Sequence, residues 1–321
     1  MNKKKRYIIL SLLLLFICIL LFAPITFGIK RQISISKPVM RVAVQVSDLK
    51  NWLHWNNSLK DSGGVQVKMS PETNVAGAWL QTRDRRLEVT QYTPSFVVVQ
   101  ETNGSSRVFH EVFVQADSIL NKTTVVWIDN FSPFSWVKEK IFPTQHAEEN
   151  LQDLKNYLED VKQYYGFDIH VGRVIDTFVL SKLAVCLKTH KNEVMASMYQ
   201  KIFDYAKACN ISVPANTPRM AHFSELGNDS LKIVVGVPVI KKTPSADGVS
   251  FLEMPTLGKA AIAHFLGDYK DIKKLYTALN QYMFDNHLQQ IAAPYERYMT
   301  NPQTSQDSLK MVIDLYCPLF Y

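Results

Sequence analysis

One phrase occurs twice in this chain. Residues 228–239 read NDSLKIVVGVPV, and residues 307–319 read DSLKMVIDLYCPL. The same succession of predicted strands and one helix surrounds each copy, over residues 177–239 and 250–319, so a strand–helix–strand–strand unit is used twice. Each unit alone exposes an apolar face, which pairing with the other unit buries or shapes into a cleft. The repeat therefore predicts one domain made of two related halves over residues 168–321.

Both predicted helices of the repeat are amphipathic. Apolar residues recur in each at spacings of three and four, which places them in one stripe that faces a core. The stripes consist of Met195, Met198, Ile202, Tyr205 and Cys209 in the first repeat and of Ile272, Leu275, Tyr276, Leu279 and Met283 in the second. The linker KKTPSADG between the repeats contains Pro and Gly, which is typical of a turn.

A different pattern precedes the repeats, over residues 31–166. A short helix at DLKNWLHW is followed by β-branched runs such as GAWLQTRDRRLEVTQYTP and NKTTVVWIDNF, and then by a long amphipathic helix that includes ENLQDLKNYLED. In this order the pieces resemble the helix-grip fold of the START-like, or SRPBCC (polyketide cyclase-like), superfamily. The resemblance implies an apolar cavity between sheet and long helix, lined by Trp79, Trp127 and Trp136. The same tryptophans also fit an ordinary core.

The amino terminus predicts a membrane anchor. An uncharged apolar run over residues 7–27 follows four cations at residues 3–6, and it is about long enough to cross a bilayer as a helix. The positive-inside rule then places the amino terminus in the cytoplasm and both domains outside it, in a bacterial periplasm. Because FAPITFGIK offers no small-x-small cleavage site, we expect an uncleaved anchor within residues 1–30. A cleaved signal peptide is the alternative.

Composition excludes several classes of function. The net charge is +7, but four positive charges belong to the terminal cluster, and no basic patch interleaved with aromatics predicts nucleic-acid binding. The eight histidines are scattered and form no metal-binding motif. We therefore expect no metal, no cofactor and no nucleic acid. The predicted strands, helices and apolar run together indicate an α+β fold class with one transmembrane helix.

The second half of the chain also resembles a known family. The phrases HFLGDYKDIKKLYTALNQYMFDNHL, PYERYMTNP and VIDLYCPL are similar to those of the GyrI-like effector-binding domain, which also occurs attached to AraC-type and MerR-type regulators. The resemblance implies a hydrophobic, often cationic, small-molecule ligand in the cleft between the repeats. Since an anchor and a helix-grip domain precede it, we expect a membrane-anchored binding protein. The alternatives are a hydrolase of a reactive lipophilic compound and a non-catalytic interaction protein.

The difference between the two copies of the phrase predicts a site. When the prolines that end them are aligned, Val234 corresponds to Asp314 and Gly236 to Tyr316. Side chains alternate along a strand, so Asp314 and Tyr316 point towards the sister repeat. The alternate positions of this strand, which we expect to pack under the helices, are Met311, Ile313, Leu315 and Cys317. The resemblance implies an acid at this position, because relatives carry one there. Without the resemblance, a single Asp near a strand end fits an exposed or salt-bridged position equally well.

Other candidate ligand-binding residues lie on and before the preceding strand. Glu296 and Tyr298 alternate in PYERYM and share a face, and Tyr269 either caps the cleft or packs on its helix. His222 takes the place of Tyr298 in the first repeat. We expect Glu296, Tyr298, Asp314 and Tyr316 to converge on one cleft, where a carboxylate among aromatic rings suits a lipophilic cation.

Overall fold

The computed structural model describes residues 11–12, 26–56, 59, 67–104, 106–117, 122–141, 146–214, 216–254, 258–300 and 311–320. The chain divides into unit 1, residues 1–160, and unit 2, residues 161–321. The division precedes the predicted end of the first domain at residue 166, because the short helix Val161–Tyr165 packs against elements of unit 2.

Unit 1 is an antiparallel sheet with helices. Its elements are β1 (Phe27–Ile35), α1 (Val39–Ser47), α2 (Leu49–Trp55), β2 (Lys68–Met69), β3 (Trp79–Gln81), β4 (Arg85–Thr93), β5 (Phe96–Asn103), β6 (Ser106–Asp117), β7 (Lys122–Phe131), α3 (Pro133–Ile141) and α4 (His146–Glu159). The strand order is β1-β7-β6-β5-β4-β3-β2. Short helix, sheet and longer closing helix follow in the predicted order, and membership of the START-like superfamily stays a prediction.

The centre of unit 1 is aromatic. Trp52 and Trp55 on α2 contact each other and Trp127 on β7, with ring centroids 5.1 to 6.4 Å apart. All three are at most 2% exposed, so Trp127 is a core residue. Trp79 and Trp136, which the sequence grouped with it, are only half-buried.

β1 begins where the predicted anchor ends. Residues 27–30, assigned above to the anchor region, pair with β7 as part of this strand, and its inward positions are Ile29, Arg31, Ile33 and Ile35. The pairing partner lies far along the chain, so the sequence around residue 30 gave no sign of this strand, and the anchor itself stays a prediction. The predicted anchor, residues 7–27, falls almost wholly outside the described residues. In the part of the chain that the structure describes, no helix has the length and apolar character to cross a membrane.

Unit 2 contains the duplicated pattern. Its elements are α5 (Val161–Tyr165), β8 (Asp168–Arg173), β9 (Phe178–Leu187), α6 (Lys191–Ala208), β10 (Arg219–Gly227), β11 (Ser230–Val239), β12 (Ser250–Glu253), β13 (Lys259–Gly267), α7 (Ile272–Asp285), β14 (Tyr295–Tyr298) and β15 (Met311–Pro318). Single 3₁₀ turns, Lys188–His190 and Tyr269–Asp271, precede α6 and α7. The strand–helix–strand–strand order is confirmed in both repeats. In the second repeat, two strands, β12 and β13, precede the helix where the repeated pattern has one.

The two repeats join edge to edge in one sheet of order β12-β9-β11-β10-β14-β15-β13-β8. At the joint, Arg219–Ala221 of β10 pairs with Glu296–Tyr298 of β14. One strand from each half pairs in the other half: β8, before the first repeat, lies beside β13, and β12, at the start of the second repeat, lies beside β9. The repeats therefore meet along a strand pair, not face to face as the predicted cleft required.

Both long helices cover one face of this sheet, here called the helix face. Met195, Met198 and Ile202 of α6 and Leu275 and Leu279 of α7 lie in the main core of unit 2. The residues of β15 that share this core are Met311, Ile313, Leu315 and Cys317, which confirms the predicted inward face of that strand.

Candidate functional site

A buried carboxylate lies at the joint between the repeats. Glu296 is 1% exposed, and three tyrosine hydroxyls donate hydrogen bonds to it. The donor–acceptor distances are 2.5 Å from Tyr298, 2.9 Å from Tyr269 and 3.0 Å from Tyr276. A buried charge is costly unless it is hydrogen-bonded, so these hydroxyls are what allows a carboxylate at this position.

Three elements of the second repeat place the hydroxyls. Tyr298 lies two residues along β14 from Glu296, on the same helix face. Tyr269 opens the 3₁₀ turn before α7, which the Asp268 side chain caps by accepting a hydrogen bond from the backbone of Lys270. Tyr276 follows in the first turns of α7. Strand, turn and helix thus bring one donor each to the same carboxylate.

The tyrosines are suited to act as donors. Burial raises the pKa of Tyr269, Tyr276 and Tyr298, and the negative charge of Glu296 raises it further. A phenol with a raised pKa keeps its proton at neutral pH. The Glu296 carboxylate is therefore surrounded by three neutral hydroxyls that all donate to it.

A cation from the first repeat completes the cluster. Lys191, the first residue of α6, donates a hydrogen bond to the Tyr269 hydroxyl over 2.7 Å. Its ammonium lies 3.7 Å from the ring centroid of Phe223 and 4.4 Å from that of Tyr269. Burial lowers the pKa of Lys191, and the charge of Glu296 opposes this change. The ammonium thus rests on two aromatic faces, linked to the carboxylate through one hydroxyl.

A second cation borders the same joint. Arg219, which pairs with Tyr298 across the two strands, has its guanidinium 5.1 Å from the ring centroid of Tyr199 and 5.4 Å from that of Phe203. The Tyr199 hydroxyl donates to the backbone carbonyl of Met220 over 2.8 Å. Aromatic rings at this joint therefore hold positive charge in two places.

The structure brings together Glu296, Tyr298 and Tyr269 but separates them from the other two predicted residues. Asp314 lies on the opposite sheet face, where one of its carboxylate oxygens is 2.7 Å from a ring nitrogen of His264. Tyr316 lies on that same opposite face, in a small apolar cluster separate from the main core. The predicted convergence is wrong.

The reason is the pairing of β14 with β15. Tyr295 lies opposite Tyr316, and the two rings stack with centroids 5.3 Å apart, while Glu296 lies opposite Leu315. Residues directly opposite on paired strands share a face. Glu296 therefore belongs to the helix face, with Leu315, and Asp314 does not.

The same pairings correct the comparison between repeats. Gly236 corresponds to Tyr316 and pairs with Met220, as Tyr316 pairs with Tyr295. One residue further along each strand, Ala221 corresponds to Glu296, and two residues beyond that, Phe223 corresponds to Tyr298. His222 therefore does not take the place of Tyr298. The carboxylate that makes the halves unequal on the helix face is Glu296, opposite an alanine.

Sequence reasoning missed three members of the cluster: Lys191, Phe223 and Tyr276. Tyr276 was recognised as part of the apolar stripe of its helix, where a half-buried tyrosine carries no further signal. Lys191 is the first residue of α6 in the other repeat, ahead of the apolar stripe of that helix, which begins at Met195. Within the described residues, no three His, Cys, Asp or Glu side chains are grouped so that they could hold a metal ion.

A separate row of charges crosses the sheet of unit 1. His110 lies between Asp129 and Glu101, with ring nitrogens 2.7 and 3.1 Å from their carboxylates, and Arg31 and Arg85 contact those carboxylates at 3.0 and 3.1 Å. Burial of the imidazole lowers its pKa, but the two carboxylates more than offset this and raise it to about 9. Every charge in the row has an opposite neighbour, so we assign the row to the stability of unit 1.

Comparison with solved structures finds weak overall similarity. The C-terminal domain of EcmrR is 15% identical, over 48% of this chain and 98% of that chain, with a TM-score of 0.42. A hydrolase from Listeria innocua is 10% identical, over 48% and 92% of the two chains, with a TM-score of 0.38. SAV2435 bound to tetraphenylphosphonium is 10% identical, over 48% and 94%, with a TM-score of 0.33.

Comparison with curated proteins finds no match. The scan against family models matches residues 182–319 to the GyrI-like small molecule binding domain. The matched range begins within β9 and ends just after β15, so it contains Glu296, the three tyrosines that donate to it, Lys191 and Phe223. Residues 182–319 therefore form a GyrI-like small-molecule-binding domain, the family that the sequence resembles.

Proposed function

We propose that this domain binds a hydrophobic organic cation at the joint between its repeats, with Glu296 as the counter-ion and Tyr269 and Tyr298 beside it. The observation that carries the proposal is the Lys191 ammonium on the faces of Phe223 and Tyr269, next to a carboxylate that is 1% exposed. The contacts that hold this ammonium are those that an organic cation needs.

The physical basis is the combination of a buried anion and aromatic faces. A ring face attracts a cation by about 0.5–2 kcal/mol per contact, and most strongly when the site is dry. A buried carboxylate adds charge selectivity because no water competes for the ligand. A neutral molecule of the same shape gains the apolar contacts alone. The site should therefore prefer an organic cation to its neutral isostere.

The test compares two probes of nearly equal shape. Phenyltrimethylammonium and tert-butylbenzene are titrated against the full-length protein by calorimetry. In a protein that carries Lys191→Met, which removes the cation already beside the carboxylate, Glu296→Gln should weaken binding of the cation by about 1–3 kcal/mol, the usual range for a lost charge-assisted contact. The same variant should scarcely change binding of tert-butylbenzene.

The matched control is Asp314→Asn, which removes a carboxylate on the other face of the sheet and should change neither affinity. Equal losses for both probes on Glu296→Gln would contradict the charge-selective site. Absence of binding by both probes would favour the alternative of an interaction protein.

We propose further that the protein carries this domain outside the cytoplasm. The support is the order of four cations followed by the apolar run of residues 7–27. A reporter that is active only in the cytoplasm, fused after Tyr321, should be silent. Strong reporter activity would overturn this orientation without affecting the ligand proposal.

A further inference from the structure

The carboxylate at the joint is already provided with a cation. The Lys191 ammonium contacts the rings of Phe223 and Tyr269 and donates to the Tyr269 hydroxyl, which itself donates to Glu296. These are the same contacts that the proposed ligand would use. Two cations cannot occupy one pair of ring faces, since their charges repel and the space is filled.

We propose that Lys191 is a built-in occupant of the cation site, whose ammonium a ligand must displace. The inference rests on the proposed function, and it adds a residue that sets which ligands the site accepts. The competition is intramolecular, so Lys191 is present at a high effective concentration however dilute the protein is.

The contacts of Lys191 suit a displaceable occupant. Its hydrogen bond goes to a neutral hydroxyl and reaches the charge of Glu296 only through that hydroxyl. Lys191 is half-buried. It is the first residue of α6, and the residues just before it are exposed to solvent. A lysine on a flexible four-carbon stem can return its ammonium to water, where it is strongly hydrated.

The occupant defines a ligand class. A small alkylammonium offers the site nothing that Lys191 does not already supply, and it must also give up its freedom in solution. A cation with a larger apolar body gains ring contact and area that the lysine stem lacks. The site should therefore select bulky aromatic cations and reject methylammonium.

Affinity measurements on the full-length protein test the displacement. Lys191→Met keeps the length of the side chain and removes its charge, and it should tighten binding of phenyltrimethylammonium by tenfold or more. The matched control is Lys201→Met, which removes the same charge from an exposed position on the same helix. That control should leave the affinity unchanged.

A spectroscopic measurement on the wild type adds a result that does not depend on a variant folding. The ε-methylene protons of Lys191, identified by their absence in Lys191→Arg, should be shifted upfield by the two rings. Addition of phenyltrimethylammonium should return them to the position of an ordinary lysine.

The outcomes separate the two proposals. If the wild type binds the probe and Lys191→Met binds it equally or more weakly, the occupant is refuted while the binding function stands. Equal tightening in Lys201→Met would also refute it, because general charge repulsion would then be the cause. If the ε-methylene protons of Lys191 resonate at the position of an ordinary lysine in the free protein, the proposal that Lys191 occupies the site is refuted directly. Absence of binding by both wild type and Lys191→Met overturns the proposed function and this inference together.

Discussion

His110 should make the stability of unit 1 depend on pH in a defined direction. Its pKa is about 9 in the folded protein, because the carboxylates of Asp129 and Glu101 hold its proton, against 6.5 for an ordinary histidine. A group whose pKa is higher in the folded state stabilises that state when it is protonated. The contribution is therefore complete below about pH 6.5 and is lost as the pH rises through about 9.

The size of the effect follows from the same two values. The difference between them, multiplied by about 1.4 kcal/mol per pH unit, gives about 3 kcal/mol of unfolding free energy. The His110 side chain is 12% exposed, so solvent screens this contribution only weakly. A loss of this size is a large fraction of the stability of a typical domain.

Tryptophan fluorescence can report unit 1 alone, because all five tryptophans of the chain lie before residue 160. Urea unfolding of the full-length protein, followed in this way at pH 6 and pH 9.5, should show the loss in the wild type. His110→Gln, which cannot titrate, should be less stable than the wild type at pH 6 and should lose much less between the two pH values. His146→Gln, at an exposed histidine of the same unit, should behave like the wild type. Parallel losses in wild type and His110→Gln would show that another group is responsible for the pH dependence.

Three further outcomes are expected. Tyr165→Phe should destabilise unit 2 by about 1–3 kcal/mol in denaturant unfolding followed by circular dichroism, because the buried Tyr165 hydroxyl donates to Asp285 over 2.9 Å; an unchanged midpoint would contradict this. Gly236→Ala should cost about 1–3 kcal/mol in the same assay, because the added Cβ would lie 2.7 Å from a methyl group of Val179; wild-type stability would show that the strand yields easily. Asp314→Asn should leave the affinity for phenyltrimethylammonium within about twofold, since this partly exposed carboxylate lies across the sheet from the cation site; a tenfold loss would restore Asp314 to the site.

Local periodicity was enough to predict the repeats, their helices and the buried face of the last strand. The stripe from Met195 to Tyr205 is buried as expected, because spacings of three and four put its members on one side of α6. Cys209, the last stripe residue, is exposed, since the helix ends at Ala208 and the stripe has no further turn to occupy.

The membership of the site could not be predicted in the same way. Alternation correctly placed Glu296 with Tyr298 and Asp314 with Tyr316, but it could not relate the two pairs to each other. Their relation depends on the register between β14 and β15, and a change of one residue in register exchanges the two faces. Lys191 was beyond local reasoning for a similar reason, because its partners lie on a neighbouring strand and in the other repeat.

The two halves of unit 2 exchange the strands β8 and β12, and this exchange bears on how the domain arose. Because β8 completes the sheet of the second repeat and β12 that of the first, neither repeat holds all of its own edge strands. An unduplicated chain with one leading strand and one repeat could obtain the missing edge only from a second molecule. Its natural form would be a twofold homodimer with swapped strands, and fusion of two such chains would give the present arrangement. The dimer would carry every site twice; the fused chain is free to change one copy, as the pair Ala221 and Glu296 illustrates.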